Sequence, residues 1–168
     1  MKLPKISLLP ASIVIGVLGF VVFWSGLANP FLGDDQGQII NNQLVHSLSN
    51  LPQLFQGSTF YSSASQTSLI GYYYRPIMMT VYAVLYSAFG ANPVPFHALQ
   101  LLLHIANAIM LFIVFRYFVK PGIALAVALV FLIHPINSQA VYAIAAIQEP
   151  LFFLFGISGF WALVMFEV

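Results

Sequence analysis

Nine charged side chains are all this chain has: Lys2, Lys5, Arg75, Arg116 and Lys120 against Asp34, Asp35, Glu149 and Glu167. Adjacent carboxylates such as Asp34 and Asp35 can serve as a general base or hold a divalent cation. A solvated acidic turn is the competing reading, because Gly33-Asp34-Asp35 follows Asn29-Pro30. Arg75, between Tyr72-Tyr73-Tyr74 and Pro76, offers a guanidinium able to grip a phosphate through paired hydrogen bonds. An interfacial anchor in an aromatic belt is the alternative. Glu149 stands at the mouth of an apolar segment, where a charge is costly and marks a functional candidate with Arg75 or a ligand cation as partner. Its plainer role is a carboxylate favoured at a helix start by the helix dipole.

Histidine and amide side chains add a second pattern. His97, Gln100, His104 and Asn107 step by three, four and three residues, an arc of about 80° on a helix. In lipid such a stripe must face other helices or a cavity. His97 and His104 are separated by about 10.5 Å of rise, too far to share one metal ion directly. Interhelical hydrogen bonding suits His104 and Asn107, while His97, nearer the outer mouth, could reach a headgroup. His134-Pro135 ends another apolar segment, where imidazole could donate to a phosphate, move a proton, or merely sit at a helix terminus. With no Cys, thiolate chemistry is excluded. Nor does the chain contain a phosphate loop, a His-rich zinc motif or a Gly-x-Ser-x-Gly elbow.

The elements that must position these groups lie in a membrane. Of 168 residues, 61% are hydrophobic and 5% charged, against about 25% in an ordinary soluble domain. Nine charges cannot clothe a water-soluble monomer of this size, and no basic cluster supports nucleic-acid binding. Residues 6–28 are long and apolar enough for a first span. A cleaved signal peptide is the competing reading, opposed by a stretch longer than the usual signal core. Residues 29–93 form a long, more polar loop. Within it, Gln36 to Leu51 carries Ile39, Ile40, Leu44, Leu48 and Leu51 at near-helical spacing, which predicts one amphipathic surface helix ended by Pro52. Ser58 to Ser68 reads as a loop.

Pro76 to Phe89 is about 21 Å long as a helix, short of a bilayer core of about 30 Å. Charge places it at the interface. If it does not cross, Lys2, Lys5, Arg116 and Lys120 share one side, as the positive-inside rule prefers. Further spans are expected at 94–115, 121–134 and 150–166. The expected fold is therefore all-α: a polytopic membrane bundle of about four spans, with interfacial helices in a long first external loop. It would form a single membrane domain with a cytoplasmic amino terminus. Asp34, Asp35, Arg75 and Glu149 then constitute all the external charge.

Taken in order, these pieces resemble a known family. Phe31-Leu32-Gly33-Asp34-Asp35 with Ile39 and Asn42 is similar to the Asp-Asp motif opening the first external loop of GT-C glycosyltransferases. Tyr74-Arg75-Pro76, Phe96-His97, Leu101-Leu102-Leu103-His104 with Asn107, His134-Pro135 and Gln148-Glu149 follow. The series most resembles the transmembrane O-mannosyltransferases that carry tetratricopeptide repeats, and their bacterial relatives.

The resemblance implies transfer of a sugar, a hexose such as mannose, from a polyprenyl-phosphate donor to a protein or glycan acceptor hydroxyl outside the cytoplasm. It implies catalytic roles for Asp34 as base, Asp35 in support or in cation binding, and Glu149 as the second-loop acid. Arg75, His97, His134 and Gln148 would bind the substrate or the carrier phosphate. Eukaryotic members usually carry an Arg near the second-loop acid, whereas this chain has Ala146-Ile147-Gln148-Glu149. Family members are also much longer, and four spans make half a cavity. The resemblance thus supports the amino-terminal part of a GT-C module. The alternative is a non-catalytic membrane subunit or remnant that binds a lipid carrier or a partner.

Overall fold

A computed structural model describes residues 7–56, 59, 61–62, 67–68 and 73–166. Apart from one two-residue ribbon, its regular elements are helical. Helix α1 (Leu8–Phe23) continues through a 3-10 turn to Ala28. The loop then runs to a short α2 (Leu51–Leu54) and to α3 (Pro76–Phe89). Beyond it come α4 (Pro93–Phe118), α5 (Pro121–Ile133), α6 (Ser138–Tyr142) and α7 (Gln148–Phe166). Three helical stretches are long and apolar enough to cross a membrane: Leu8–Ala28, Pro93–Phe118 and Ile144–Phe166. Helix α5 and Pro135–Tyr142 reach that length and apolarity only when taken together, across a bend of 50°. Proline opens α3, α4 and α5, where its missing N–H costs nothing. Asn92 Oδ1 caps α4 by accepting from Val94 N at 3.1 Å.

The bundle core sets small residues among a few large ones. Ala11, Ile15, Ala108, Phe112, Ala124, Ala128 and Leu132 bury one cluster where α1, α4 and α5 meet. A Cβ on Gly19 would lie 2.8 Å from Ile105 Cγ1, so this position admits only glycine at the observed spacing. Small residues let membrane helices approach closely, and dispersion then holds them. The polar stripe of α4 supplies directional links. Gln100 Nε2 donates to Ala140 O and Ala143 O at 2.7 and 2.6 Å. His104 Nε2 donates to Leu132 O at 2.9 Å, and Asn107 Nδ2 to Pro150 O at 2.9 Å. One face of α4 therefore holds α5, α6 and α7, as the spacing of the stripe implied.

At one end of the bundle the loops make a second core. Phe31, Ile39, Val45, Leu54, Met78, Met79, Tyr82, Ala83, Phe96, Ile144 and Ile147 are buried together. Helix α3 packs into this roof, burying Met78, Met79, Tyr82 and Ala83. Tyr82 donates its hydroxyl to Ile144 O at 2.8 Å, tying α3 to the connection between α6 and α7.

The roof corrects the expected loop structure in three places. The segment from Gln36 to Leu51 is not one helix but a π-helical turn (Gln36–Ile40) and two 3-10 turns (Gln43–His46, Leu48–Asn50). Asn42 and Ser47 cause the breaks: their side chains accept from Leu44 N and Ser49 N, giving the backbone an alternative to helix. Pro52 does not end a helix but lies at the start of α2. Within the expected Ser58–Ser68 loop, Tyr61–Ser62 and Thr67–Ser68 pair as antiparallel strands β1 and β2. The remainder of that loop, except Thr59, lies outside the described residues.

Candidate active site

Asp34 and Asp35 occupy the short turn that joins α1 to the roof, and the chain treats them differently. Gly33, at φ +53°, allows the turn, and Asp35 N donates back to Leu32 O at 3.1 Å. Asp34 is exposed. Asp35 is buried, and both of its oxygens are engaged. Oδ2 accepts from Leu32 N at 3.0 Å and Oδ1 from Ala145 N at 2.7 Å. Asp35 thus latches the first loop to the α6–α7 connection. Burial pushes its carboxyl above the ordinary value, a shift the two backbone N–H groups oppose.

Residues distant in sequence converge at this latch. A cavity of about 670 Å³ is lined by Asn29, Asp34, Asp35, Gln38, Tyr73, Arg75, Ser138, Gln139, Gln148 and Glu149, with apolar residues between them. Arg75 is half-buried just ahead of α3, its guanidinium carbon 4.7 Å from the centre of the Tyr73 ring. Among the described residues it has no hydrogen-bond or ion-pair partner. Glu149 is exposed in the first turn of α7, where the helix dipole favours it, and also lines the cavity. Arg75 and Gln148 further line an apolar groove of about 300 Å³ formed with Tyr74, Pro76, Ile77, Met78, Leu151, Phe152 and Phe155. A cation at the junction of a polar chamber and an apolar groove can take an anionic headgroup with its hydrocarbon tail.

Five of the seven candidate residues therefore meet at one cavity: Asp34, Asp35, Arg75, Gln148 and Glu149. The other two do not line it. His97 is buried behind the chamber and donates from Nε2 to the carbonyl of Asn29 at 3.1 Å, so it holds a wall residue in place. His134 is exposed at the bend after α5, where Nδ1 accepts from Ile136 N at 3.2 Å. Its neighbours are Leu111, Phe115, Val127, Val130 and Phe131, which line a separate groove.

Among the described residues, no three His, Asp or Glu side chains cluster to hold a metal ion. Each Asp35 oxygen accepts one backbone N–H, whereas Asp34 is the exposed member of the pair. Sequence reasoning missed Gln38, Asn29, Tyr73, Ser138 and Gln139. Their types carry no signal, and only the folded roof brings them to the chamber.

Fold and site together define a polytopic helical membrane protein with a polar cavity roofed by its loops. Over most of its length the sequence is similar to protein O-mannosyl-transferases. It is 24% identical to Protein O-mannosyl-transferase TMTC3 of Mus musculus over 159 residues, covering 95% of this chain and 17% of that protein. It is 28% identical to Protein O-mannosyl-transferase TMTC4 of Homo sapiens over 179 residues, covering 92% of this chain and 24% of that protein. Protein O-mannosyl-transferase TMTC1 of Mus musculus is 27% identical over 145 residues, covering 84% and 15% respectively. The chain thus spans between 15% and 24% of the length of these curated relatives. No family model and no solved structure matches it.

Proposed function

We propose that this chain forms the amino-terminal part of a GT-C-type glycosyltransferase. The reaction moves a hexose, such as mannose, from a polyprenyl-phosphate donor to an acceptor hydroxyl on the extracytoplasmic side. The observation that carries this reading is the convergence of Asp34, Arg75, Gln148 and Glu149, from three separate segments, on one cavity. Similarity to proteins named O-mannosyl-transferases supports the reaction class.

Each group has a task its setting suits. Asp34, exposed at the chamber, takes the proton of the acceptor hydroxyl as it attacks the sugar. Arg75 stabilises the charge that develops on the departing carrier phosphate. The carrier's tail continues into the apolar groove beside Arg75. Glu149 faces the chamber from the first turn of α7 and orients the acceptor. Asp35 keeps the two loops in register through Ala145.

A second reading is favoured by α7, which buries little beyond Pro150 and exposes Phe152, Phe155, Phe160 and Leu163. A helix so open suits a subunit that binds the lipid carrier while another chain completes the site. One experiment separates the two. The protein is placed in lipid nanodiscs with mannosyl-phosphoryl-polyprenol and a Ser/Thr peptide, and mannosyl-peptide is measured. Transfer by the wild type, lost in Asp34→Asn with membrane insertion intact, supports the transferase. Carrier binding without turnover supports the subunit reading, and full turnover by Asp34→Asn sinks the assigned base.

A further inference from the structure

The chamber wall contains a group no motif points to. Gln38 is 2% exposed, lines the cavity from the π-helical turn, and has its Oε1 buried without a hydrogen-bond partner. Gln148, on the α7 side of the same cavity, also has a buried Oε1 without a partner. Buried polar atoms are nearly always paired; Asn42, His97, Gln100 and Asn107 also bury an unpaired atom, but among the described residues Gln38 and Gln148 are the two that do so on this cavity, within reach of a ligand there. The terminal torsion of a glutamine is broad, and rotation about it can turn either amide oxygen into the chamber. Asp34 and Glu149, the exposed carboxylates there, are acceptors as well. With the Arg75 guanidinium and the amide N–H groups on the same lining, the wall offers acceptors and donors side by side, which suits a ligand with several hydroxyl groups.

From this geometry we propose that Gln38 and Gln148 read the hydroxyl groups of the transferred sugar, with Gln38 as a specificity-determining residue. This rests on the transferase reading above and names the element that recognises the sugar rather than the carrier. Each sugar hydroxyl both donates and accepts, so one ring can meet amide oxygens, carboxylates and a guanidinium at once. A site built to hydrogen-bond a hydroxyl discriminates strongly against an analogue lacking it, because its own polar group is then left unpaired.

The test compares two probes on the wild-type protein in nanodiscs: a short-chain mannosyl-phosphoryl-polyprenol and the same polyprenyl phosphate without sugar. Gln38→Met removes the amide at nearly constant volume. We expect it to weaken the mannosylated probe about ten- to a hundredfold, the cost of one unmet buried hydrogen bond, and to leave the sugar-free probe unchanged. A series of monodeoxy mannosyl probes checks the assignment without relying on the variant. One deoxy position should cost affinity in the wild type and nothing further in Gln38→Met. Equal loss of both probes would show a structural role and overturn the proposal, as would unchanged binding of both. Weakened binding of a Ser/Thr peptide, with the mannosylated probe unaffected, would assign Gln38 to the acceptor and overturn it too. If the wild type bound neither probe, the transferase reading itself would fall. If it preferred the mannosylated probe and Gln38→Met kept that preference, only the role of Gln38 would fall.

Discussion

Where α1, α4 and α5 meet, four alanines, Ala11, Ala108, Ala124 and Ala128, let the helices close around Ile15, Phe112 and Leu132. Where α3 meets the loops, they are Phe31, Tyr82, Met78, Met79 and Phe96. The bundle gains its cohesion from close backbone approach, since lipid is as apolar as leucine and burying large side chains from it brings little. The roof lies among the polar loops, so burying aromatic surface is rewarded there. Hydrogen bonds divide in the same way. In the bundle they run from one stripe on α4 to backbone carbonyls. In the roof, Asp35 and Tyr82 pin distant loops together. A scaffold closed up by small residues thus carries a shaped cap, and the cavity opens where the cap holds the polar groups.

Substitutions can break this contrast, and the largest effect should come from the roof. Phe96 is fully buried against Phe31, with ring centres 5.3 Å apart. Phe96→Ala should cost about 3–5 kcal/mol and abolish the cavity. Thermal unfolding in nanodiscs measures the cost, and hydrogen exchange should show it concentrated in residues 29–56. Asp35→Ala comes next, because it strands the N–H groups of Leu32 and Ala145 at about 1–3 kcal/mol each. Faster amide exchange at Ala145 is its specific signature.

The acid side of Asp35 sharpens the same point. Burial holds its folded-state pKa above the ordinary 3.8, despite His97, and Asp34 adds to the rise. The folded chain therefore binds this proton more tightly than the unfolded chain does. The resulting stability is present below 3.8 and is lost as pH rises through the folded value. The difference in Tm between wild type and Asp35→Asn should accordingly shrink as pH rises above 3.8 and then level off. A difference that grew with pH would show that the two N–H groups outweigh burial.

Within the bundle the effects should be smaller. Asn107→Leu removes one bond to Pro150, worth about 0.6 kcal/mol and at most about 1.7 in a membrane protein. The smallest effect should come from His134→Ala, which lines neither core nor chamber; carrier binding should stay at the wild-type value, and Tm should fall only slightly with the loss of the exposed bond from Ile136 N. A loss of carrier binding in that variant would return His134 to the site.

The legible parts of the sequence were those governed by periodicity and scarcity. Hydropathy revealed the long helices, and the spacing of His97, Gln100, His104 and Asn107 revealed the stripe that joins them. Scarce charge pointed to Asp34, Asp35, Arg75 and Glu149, which the fold brings to one cavity. The spacing of Ile39, Ile40 and Leu44 suggested a continuous helix because apolar period alone does not register side chains that bond their own backbone, as Asn42 and Ser47 do. Gln38 was illegible for a different reason. A glutamine on an amphipathic segment belongs by default to its wet face, and only the π-helical turn directs it inward. The unequal fates of Asp34 and Asp35 depend on Ala145, more than a hundred residues away.

On the proposed function, the cavity beneath the roof receives the anionic head of a lipid carrier. A short-chain polyprenyl phosphate bearing a photoreactive group next to the phosphate tests it most directly. After irradiation in nanodiscs and digestion, the label should fall in residues 29–38, 73–78 and 138–149, and Arg75→Ala should greatly reduce it. Label spread along the lipid-facing surfaces of α1 and α7, or concentrated in the groove beside His134, would contradict the account.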